Sequence, residues 1–304
     1  MRLDQQKSIL SISSHVMRGA VGNRAAVFAL ETRGHSVWSV PTVILPWHPG
    51  HGRSTRIAVE TEAFAGALSD LKGAKWRGEV RAAMTGYFAD AGQVHAAADL
   101  IASFKQSDPD FLYLCDPVIG DAGGLYVAEA VAVAIRDALL PLADLATPNR
   151  FELGWLAGAP VDDNVAIAAA AARTGVTRVV VTSAHAMMRG AIANLLIEAG
   201  RQVLAEHQAL ERAPNGLGDL FSALFLSHVL GGLPAEEALR LSSSSVFEIA
   251  ARSIRAGSDE LLLQTEAAAL KTPMASVAIR SLVSSVSARK RAVLPVPLDK
   301  EQAG

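Results

Sequence analysis

Apolar positions recur along this chain in two alternating rhythms. Short β-rich runs at Ile9–Ser13, Ser36–Val40, Val80–Thr85 and Phe111–Cys115 are separated by helix-period stretches near Asn23–Arg33 and Gln93–Lys105. The alternation continues through a helix near Ala128–Leu140, a strand near Leu145, helices near Arg150–Ala157 and Val165–Thr174, and a strand at Arg178–Thr182. Strands joined through helices pair in parallel, because an antiparallel return needs only a tight turn, and the crossover helices then cover both faces. The expected architecture is α/β, a central mostly parallel sheet between two helical layers.

The rhythm changes after residue 190. Gly190–Ile197 and Gln202–His207 flank Glu198-Ala199-Gly200, a hairpin signal rather than a crossover. A helix opening around Asp219 and another from Pro234 to about Ile254 follow, and Thr272-Pro273 is expected to end the helical region. With no internal repeat and no linker, residues 1–286 read as one domain. Residues 287–304, with Arg289-Lys290-Arg291, Pro295 and Pro297, read as a solvated surface tail.

Composition narrows the function classes. Of 304 residues, 50% are apolar and 19% charged, enough for a large buried core. A net charge of −2 with scattered Lys and Arg gives no basic field for nucleic acid or an anionic membrane, so the expected partner is a small molecule. The run Val127–Ala146 is broken by Glu129, Arg136, Asp137 and Asp144, which argues against a membrane span of about 20 residues. The apolar run Ile9–Ile12 is too brief for a secretion signal, and the single Cys115 forms no internal disulfide; both fit a cytoplasmic protein.

The densest chemistry lies in Ala213-Pro214-Asn215-Gly216-Leu217-Gly218-Asp219, which runs straight into the apolar helix Leu220–Leu226. The first N–H groups of a helix lack internal partners and sit at its positive end, so they attract anions such as a transferring phosphate. Gly216 and Gly218 allow a tight turn and close approach, and Asp219 can take a proton from an attacking hydroxyl. Capping is the alternative: Asp219 as an ordinary N-cap, with glycines that only shape the turn. No G-x-x-x-x-G-K-[S/T] occurs, so any ATP site is built without a P-loop. In a parallel sheet ligands bind beyond the carboxyl ends of the strands. Polar residues stand there at Ser13-Ser14-His15, Thr85-Gly86-Tyr87, Asp116 to Asp121, Thr147 to Glu152, and Thr182-Ser183. Each is also common turn, cap or core chemistry when taken alone.

Together these motifs resemble the ribokinase-like superfamily and, within it, the pyridoxal kinase family, over roughly residues 8 to 270. Ser14-His15-Val16 with Gly19 and Gly22-Asn23 is similar to the family's N-terminal substrate segment, and Thr85-Gly86-Tyr87 to its ring-contacting turn. Cys115-Asp116-Pro117-Val118 with Gly120-Asp121 and Tyr126-Val127 resembles its phosphate and metal region. Thr147-Pro148-Asn149 with Glu152 resembles its nucleotide and magnesium segment, and Gly216-Leu217-Gly218-Asp219 its anion hole and base. The resemblance implies ATP and Mg²⁺ as cofactors, a homodimer, and phosphorylation of the 5′-hydroxymethyl group of pyridoxal, with pyridoxine and pyridoxamine as related acceptors, in vitamin B6 salvage. It leaves open whether a monovalent cation such as K⁺ assists.

Residue by residue, the resemblance makes Asp219 the base with Gly216 and Gly218 beside it, and places Ser14, His48 and Tyr87 on the substrate. It assigns Asp116, Asp121, Thr147, Asn149, Glu152, Thr182, Ser183, Gly216, Leu217 and Gly218 to the nucleotide, with Asp116 and Glu152 on the metal. Two positions depart from the pattern. Leu217 replaces a common Thr or Val, removing a hydroxyl but not the amides. Pro46-Trp47-His48-Pro49-Gly50-His51-Gly52 puts Pro49 where the family's substrate-closing loop has a contacting Thr, so this loop is expected to be stiffer, with His48 a substitute contact. His48 and His51 also read as an H-x-x-H pair, without a third ligand at suitable spacing; Cys115 reads as core. Two other functions remain at this stage: a hydroxymethylpyrimidine kinase of thiamine synthesis, and a catalytically weak B6-binding protein.

Overall fold

Strand β1 (Ser8–Val16) is buried on both faces: Ile9 packs into one core while Leu10 and Ile12 pack into another. A strand with two apolar faces belongs in the middle of a covered sheet. The computed structural model, which describes residues 8–282, places it there. The other strands are β2 (Ser36–Leu45), β3 (Ile57–Ala58), β4 (Val80–Thr85), β5 (Leu112–Cys115), β6 (Gly120–Asp121), β7 (Gly124–Leu125), β8 (Leu145–Ala146), β9 (Arg178–Ala184), β10 (Ala191–Glu198), β11 (Arg201–Gln208) and β12 (Ala278–Leu282). A ten-stranded sheet runs β12-β11-β10-β9-β8-β5-β4-β1-β2-β3, and β6 pairs with β7 in a small separate ribbon.

The pairs β2–β1, β1–β4, β4–β5, β5–β8 and β8–β9 are parallel. The pairs β9–β10, β10–β11, β11–β12 and β2–β3 are antiparallel. The predicted hairpin is β10–β11, with Glu198 opposite Arg201 and with Ala199 and Gly200 both at positive φ. Its turn is of the kind whose twist suits two antiparallel strands.

The helices are α1 (Asn23–Thr32), α2 (Thr61–Gly73), α3 (Ala91–Ser107), α4 (Glu129–Ala134), α5 (Arg150–Ala157), α6 (Asn164–Arg173), α7 (Leu217–Leu230), α8 (Ala235–Arg255) and α9 (Ala267–Lys271). One core joins α1, α7, α8 and α9 to Ile9, Met84, Leu114, Leu145 and Val180 of the sheet. On the opposite face α2, α3 and α4 cover Leu10, Ile12, Tyr113 and Cys115, while α5 and α6 cover Val179 and Val181. Helix α7 is apolar all round because it is buried between the sheet, α1 and α8.

Three features differ from the sequence expectation. The helix expected near Ala128–Leu140 stays α-helical only to Ala134, then widens into a π turn at Ile135–Leu139 and a 3₁₀ turn at Leu140–Leu142. Pro141 lacks the N–H an α-helix would use. Helix α2 was not expected; it buries only Phe64 and Leu68, too thin an apolar stripe to stand out in sequence. Strand β12 adds an edge to the antiparallel end. The expected tail 287–304 lies outside the described residues.

Candidate active site

The carboxyl ends of the parallel strands are stitched into one rim by backbone bonds that continue the sheet. Gly86 N donates to Ile12 O (2.9 Å), Asp116 N to Thr85 O (2.9 Å), Thr147 N to Cys115 O (3.1 Å) and Thr182 N to Pro148 O (2.9 Å). These bonds set the turns after β4, β5 and β8 beside one another and beside the carboxyl halves of β1 and β9, although they lie far apart in sequence.

Helix α7 docks its first two turns on this rim. Ser222, three residues after Asp219 and so on the same helical face, donates its hydroxyl to Asp116 Oδ2 (2.9 Å) and lies 2.8 Å from Thr147 Oγ1. One turn earlier, Asp219 reaches the turn after β4: a Cβ built on Gly86 would stand 3.9 Å from Asp219 Oδ1. Gly22 N–H donates to the Asp219 carboxylate, tying the entry to α1 to the same point. The Asp219 side chain keeps partial exposure, so it is not sealed beneath the core.

Asp219 is not the N-cap. That position is Gly216, in the left-handed region at φ +93°, which makes Asp219 the third residue of the helix. A Cβ on Gly216 would sit 2.0 Å from Ala20 O, whereas one on Gly218 would meet nothing within 4 Å. Gly216 is therefore required by backbone conformation and packing. At Gly218 the fold imposes no such demand, and its bare backbone faces open space beside the carboxylates.

The electrostatics follow from burial. Desolvation pushes the Asp219 carboxyl up to about 6, against the opposing pull of the Gly22 and Asp219 N–H groups. Asp116 is pushed up to about 8, first by burial and then by the Asp219 charge, with Ser222 and Thr147 pulling it down. Glu152 is raised by burial and by Asp116. Such clustered, desolvated carboxylates favour a bound cation. Among the described residues no group of three or more His, Cys, Asp or Glu is spaced to hold a metal alone. One or two hard oxygen donors plus phosphate and water, the usual Mg²⁺ arrangement, fit this donor set.

Several expected site residues have their polar groups engaged inside the rim. Asn149 caps α5: its Oδ1 accepts from Glu152 N and its Nδ2 donates to Gly120 O (2.8 Å). Glu152 accepts from Asn149 N (2.8 Å) and Ile119 N (3.2 Å), completing a capping box that clamps the Asp116–Gly120 turn to α5. Exposed Asp121 accepts from Gly123 N within the β6–β7 ribbon. Thr182 and Ser183 line an open cleft of about 160 Å³ with Leu217, Gly218, His207 and Phe247; the His207 and Phe247 rings stack at 4.6 Å. A further cleft of about 210 Å³ lies at the other end of β9, where Arg178 pairs with Glu198 and Arg201 with Glu236.

The loop Pro46–Gly52 lies beside the turn that leads to Asp219. It extends from β2, which is held to the end of β1 by Met17 N to Leu45 O (2.8 Å) and Arg18 N to Pro46 O (2.9 Å). Pro49 opens a single 3₁₀ turn, capped by His48 Nδ1 accepting from Gly50 N (3.1 Å), and Trp47 Nε1 donates to Gly52 O (3.1 Å). A Cβ on Gly50 would stand 3.2 Å from Asn215 Nδ2, so the loop abuts the turn that leads to Asp219. Tyr87 lies near by, its N–H on Ser13 Oγ (3.2 Å) and its ring 5.6 Å from the Arg56 guanidinium. Buried Ser14 packs against Gly22.

Sequence reasoning missed Ser222 and the His207–Phe247 stack, and named Ser13 and Asn215 only within their segments, without a role of their own. Ser222 was within reach, since the i+3 spacing from Asp219 marks a shared helix face.

Residues 74–285 match the family model described as phosphomethylpyrimidine kinase. The chain is similar to a pyridoxal kinase PdxY from Corynebacterium diphtheriae, 36% identical over 275 residues, 88% of this chain and 96% of that one. It is also 38% identical over 262 residues to a pyridoxine/pyridoxal/pyridoxamine kinase from Bordetella bronchiseptica, covering 84% of this chain and 92% of that one. Among solved structures, the pyridoxal kinase from Leishmania donovani in complex with ADP and pyridoxamine superposes with a TM-score of 0.84 at 29% identity, covering 91% of this chain and all of that one.

Proposed function

The chain belongs to the pyridoxal kinase family, and on that premise we propose that it transfers the terminal phosphoryl group of ATP to the 5′-hydroxymethyl oxygen of pyridoxal, with pyridoxine and pyridoxamine as further acceptors. The reading rests on one observation: the Asp219 carboxylate, with its proton affinity raised to about 6, stands at the open end of the rim beside the free amides of the α7 start.

In this reading the vitamer ring lies between Tyr87, Ser14 and the His48 loop, with its alcohol toward Asp219. The raised carboxyl is a stronger base than an ordinary aspartate yet is largely ionised at neutral pH, which suits it to accept the alcohol proton as the oxygen attacks. The N–H groups of Gly216–Gly218 would meet the charge that grows on the moving phosphoryl group; such preorganised donors contribute about 3 kcal/mol each in known sites. The nucleotide occupies the cleft of Thr182, Ser183, Leu217 and Gly218. Asn149 and Glu152 act by fixing the turns around it, and Thr147, bonded to Ser222, orients Asp116. Asp116, with Glu152 acting through water, would hold Mg²⁺, whose charge offsets that of the phosphates. The cytoplasmic setting and the homodimer belong to the same proposal.

A second reading, hydroxymethylpyrimidine kinase, is favoured by the description of the matching family model. That match begins at residue 74 and leaves out Ser14 and the Pro46–Gly52 loop, the two segments that separate a pyridine from a pyrimidine ring. ADP release measured with pyridoxal, pyridoxine and hydroxymethylpyrimidine, each with and without Mg²⁺, decides the matter. Highest kcat/KM on pyridoxal is the expected result. Preference for hydroxymethylpyrimidine would move the assignment to the second reading, and tight vitamer binding without turnover would make this a binding protein.

A further inference from the structure

Glu260 lies 9% exposed just after α8, some two hundred residues from the loop and turn it touches. Its Oε1 is 3.0 Å from Arg18 Nη1 and 3.1 Å from His51 Nε2, and its Oε2 is 3.4 Å from Ala20 N. Asp259 adds two contacts to Arg18 Nη2, at 2.7 and 3.0 Å. Gly19 must be glycine for this to happen, since at φ +99° a Cβ there would stand 2.4 Å from the carboxylate. The segment is itself anchored: Leu261 and Leu263 are buried, and Leu262 N donates to Ser253 Oγ (3.0 Å) on α8.

These contacts close a ring. Arg18 N holds the start of the substrate loop at Pro46, while His51 near its end is held by Glu260, which also grips Arg18 and Ala20. From Ala20 two further links run to the reacting groups: its carbonyl packs on Gly216, and Gly22 N–H donates to Asp219. Resting on the kinase reading above, we infer that Glu260 is a positioning residue that latches the Pro46–Gly52 loop over the vitamer and sets its register to the Gly216–Asp219 turn. Pro49, which opens the 3₁₀ turn, offers no hydroxyl or N–H to the substrate, and the latch holds the loop without a contact from that position. None of Arg18, Ala20, His51 and Glu260 lines the nucleotide cleft of Thr182, Leu217 and His207. Loss of the latch therefore weakens vitamer binding selectively.

The test is calorimetric titration of pyridoxal into the full chain, with steady-state KM for pyridoxal and ATP, for wild type, Glu260→Gln, His51→Gln and the double variant. Pyridoxal Kd is expected to rise about tenfold in each single variant as a preorganised loop is lost. KM for ATP stays within about twofold, and the double variant is no weaker than the weaker single, since both remove one interaction. Wild-type-like pyridoxal affinity in His51→Gln, simple additivity in the double variant, or a parallel loss of ATP affinity overturns the inference. Should Glu260→Gln fail to fold, His51→Gln decides alone, because it leaves the buried carboxylate its Arg18 and Ala20 partners. A wild type that binds pyridoxal without turning it over refutes the kinase reading and leaves the latch judged by Kd; one that binds no vitamer refutes both.

Discussion

On the proposed kinase reading, the two walls of the site are built on opposite principles. The reaction wall consists of strand ends and helix starts, with Asp116, Thr147, Glu152 and Ser222 buried and bonded to one another or to backbone. The wall assigned to the substrate, Pro46–Gly52, is a surface loop whose order comes from local turn bonds and a contact with the remote Glu260. The first gathers carboxylates that disfavour their own charges and so is strained toward chemistry. The second carries little burial and so can open. A phosphoryl-transfer site needs both, since the base must not move and the substrate must enter.

Breaking the reaction wall should have the largest effect. Asp219→Asn is expected to lower kcat about 10³-fold with ATP KM nearly unchanged, the range for a lost general base; equal loss of ATP binding would make Asp219 structural. The same variant should be more stable than wild type at pH 8. The native carboxyl titrates at about 6, above the unfolded value near 3.8, so the folded state holds its proton longer and stability falls as pH rises between them. Asn removes that loss, a gain of about 1–2 kcal/mol after allowing for partial exposure, which vanishes below pH 4. Thermal melts at pH 4 and 8 check the sign.

The two glycines sharpen the distinction between fold and chemistry within that wall. Gly216→Ala meets both a positive φ and Ala20 O, and is expected to cost about 2 kcal/mol or more in stability along with activity. Gly218→Ala meets nothing and should change stability by less than about 1 kcal/mol while cutting kcat/KM roughly tenfold, because the added methyl occupies the anion's approach. Denaturant melts beside steady-state rates separate the two; equal destabilisation would erase the assignment of Gly218 to the ligand.

Ser222→Ala is a smaller perturbation. It removes the hydroxyl between Asp116 and Thr147, at a cost of about 1–2 kcal/mol, and should raise the Mg²⁺ concentration needed for half-maximal rate several-fold. Cys115 should give the least effect: fully buried and with its thiol pushed up to about 12, it should resist iodoacetamide in the native state and react only on unfolding. Rapid native labelling would mean the reaction wall opens.

Much of the reaction wall was legible because its residues sit in recognisable local contexts. Thr85-Gly86, Asp116-Pro117 and Thr147-Pro148 each end a β-rich run, and in a parallel sheet strand ends share one edge whatever their distance in sequence. The hairpin after β9 was marked by Ala199-Gly200 between two apolar runs. The division of labour between Gly216 and Gly218 was not legible, since both are simply glycine until Ala20 is placed against one of them. Nor was the commitment of Asn149, Glu152 and Asp121 to local backbone groups, which depends on how the turns fold onto one another.

Sequence alone determined the α/β rhythm, the parallel pairing it demands and the acidic glycine turn at a helix start, because periodicity and local steric preference are properties of neighbouring residues. The tertiary structure decided that Ser222 would bridge Asp116 and Thr147, that desolvation would raise Asp219, and that Glu260 would close on His51 and Arg18. Burial and long-range contact depend on which segments are brought together in space, and no local pattern records that.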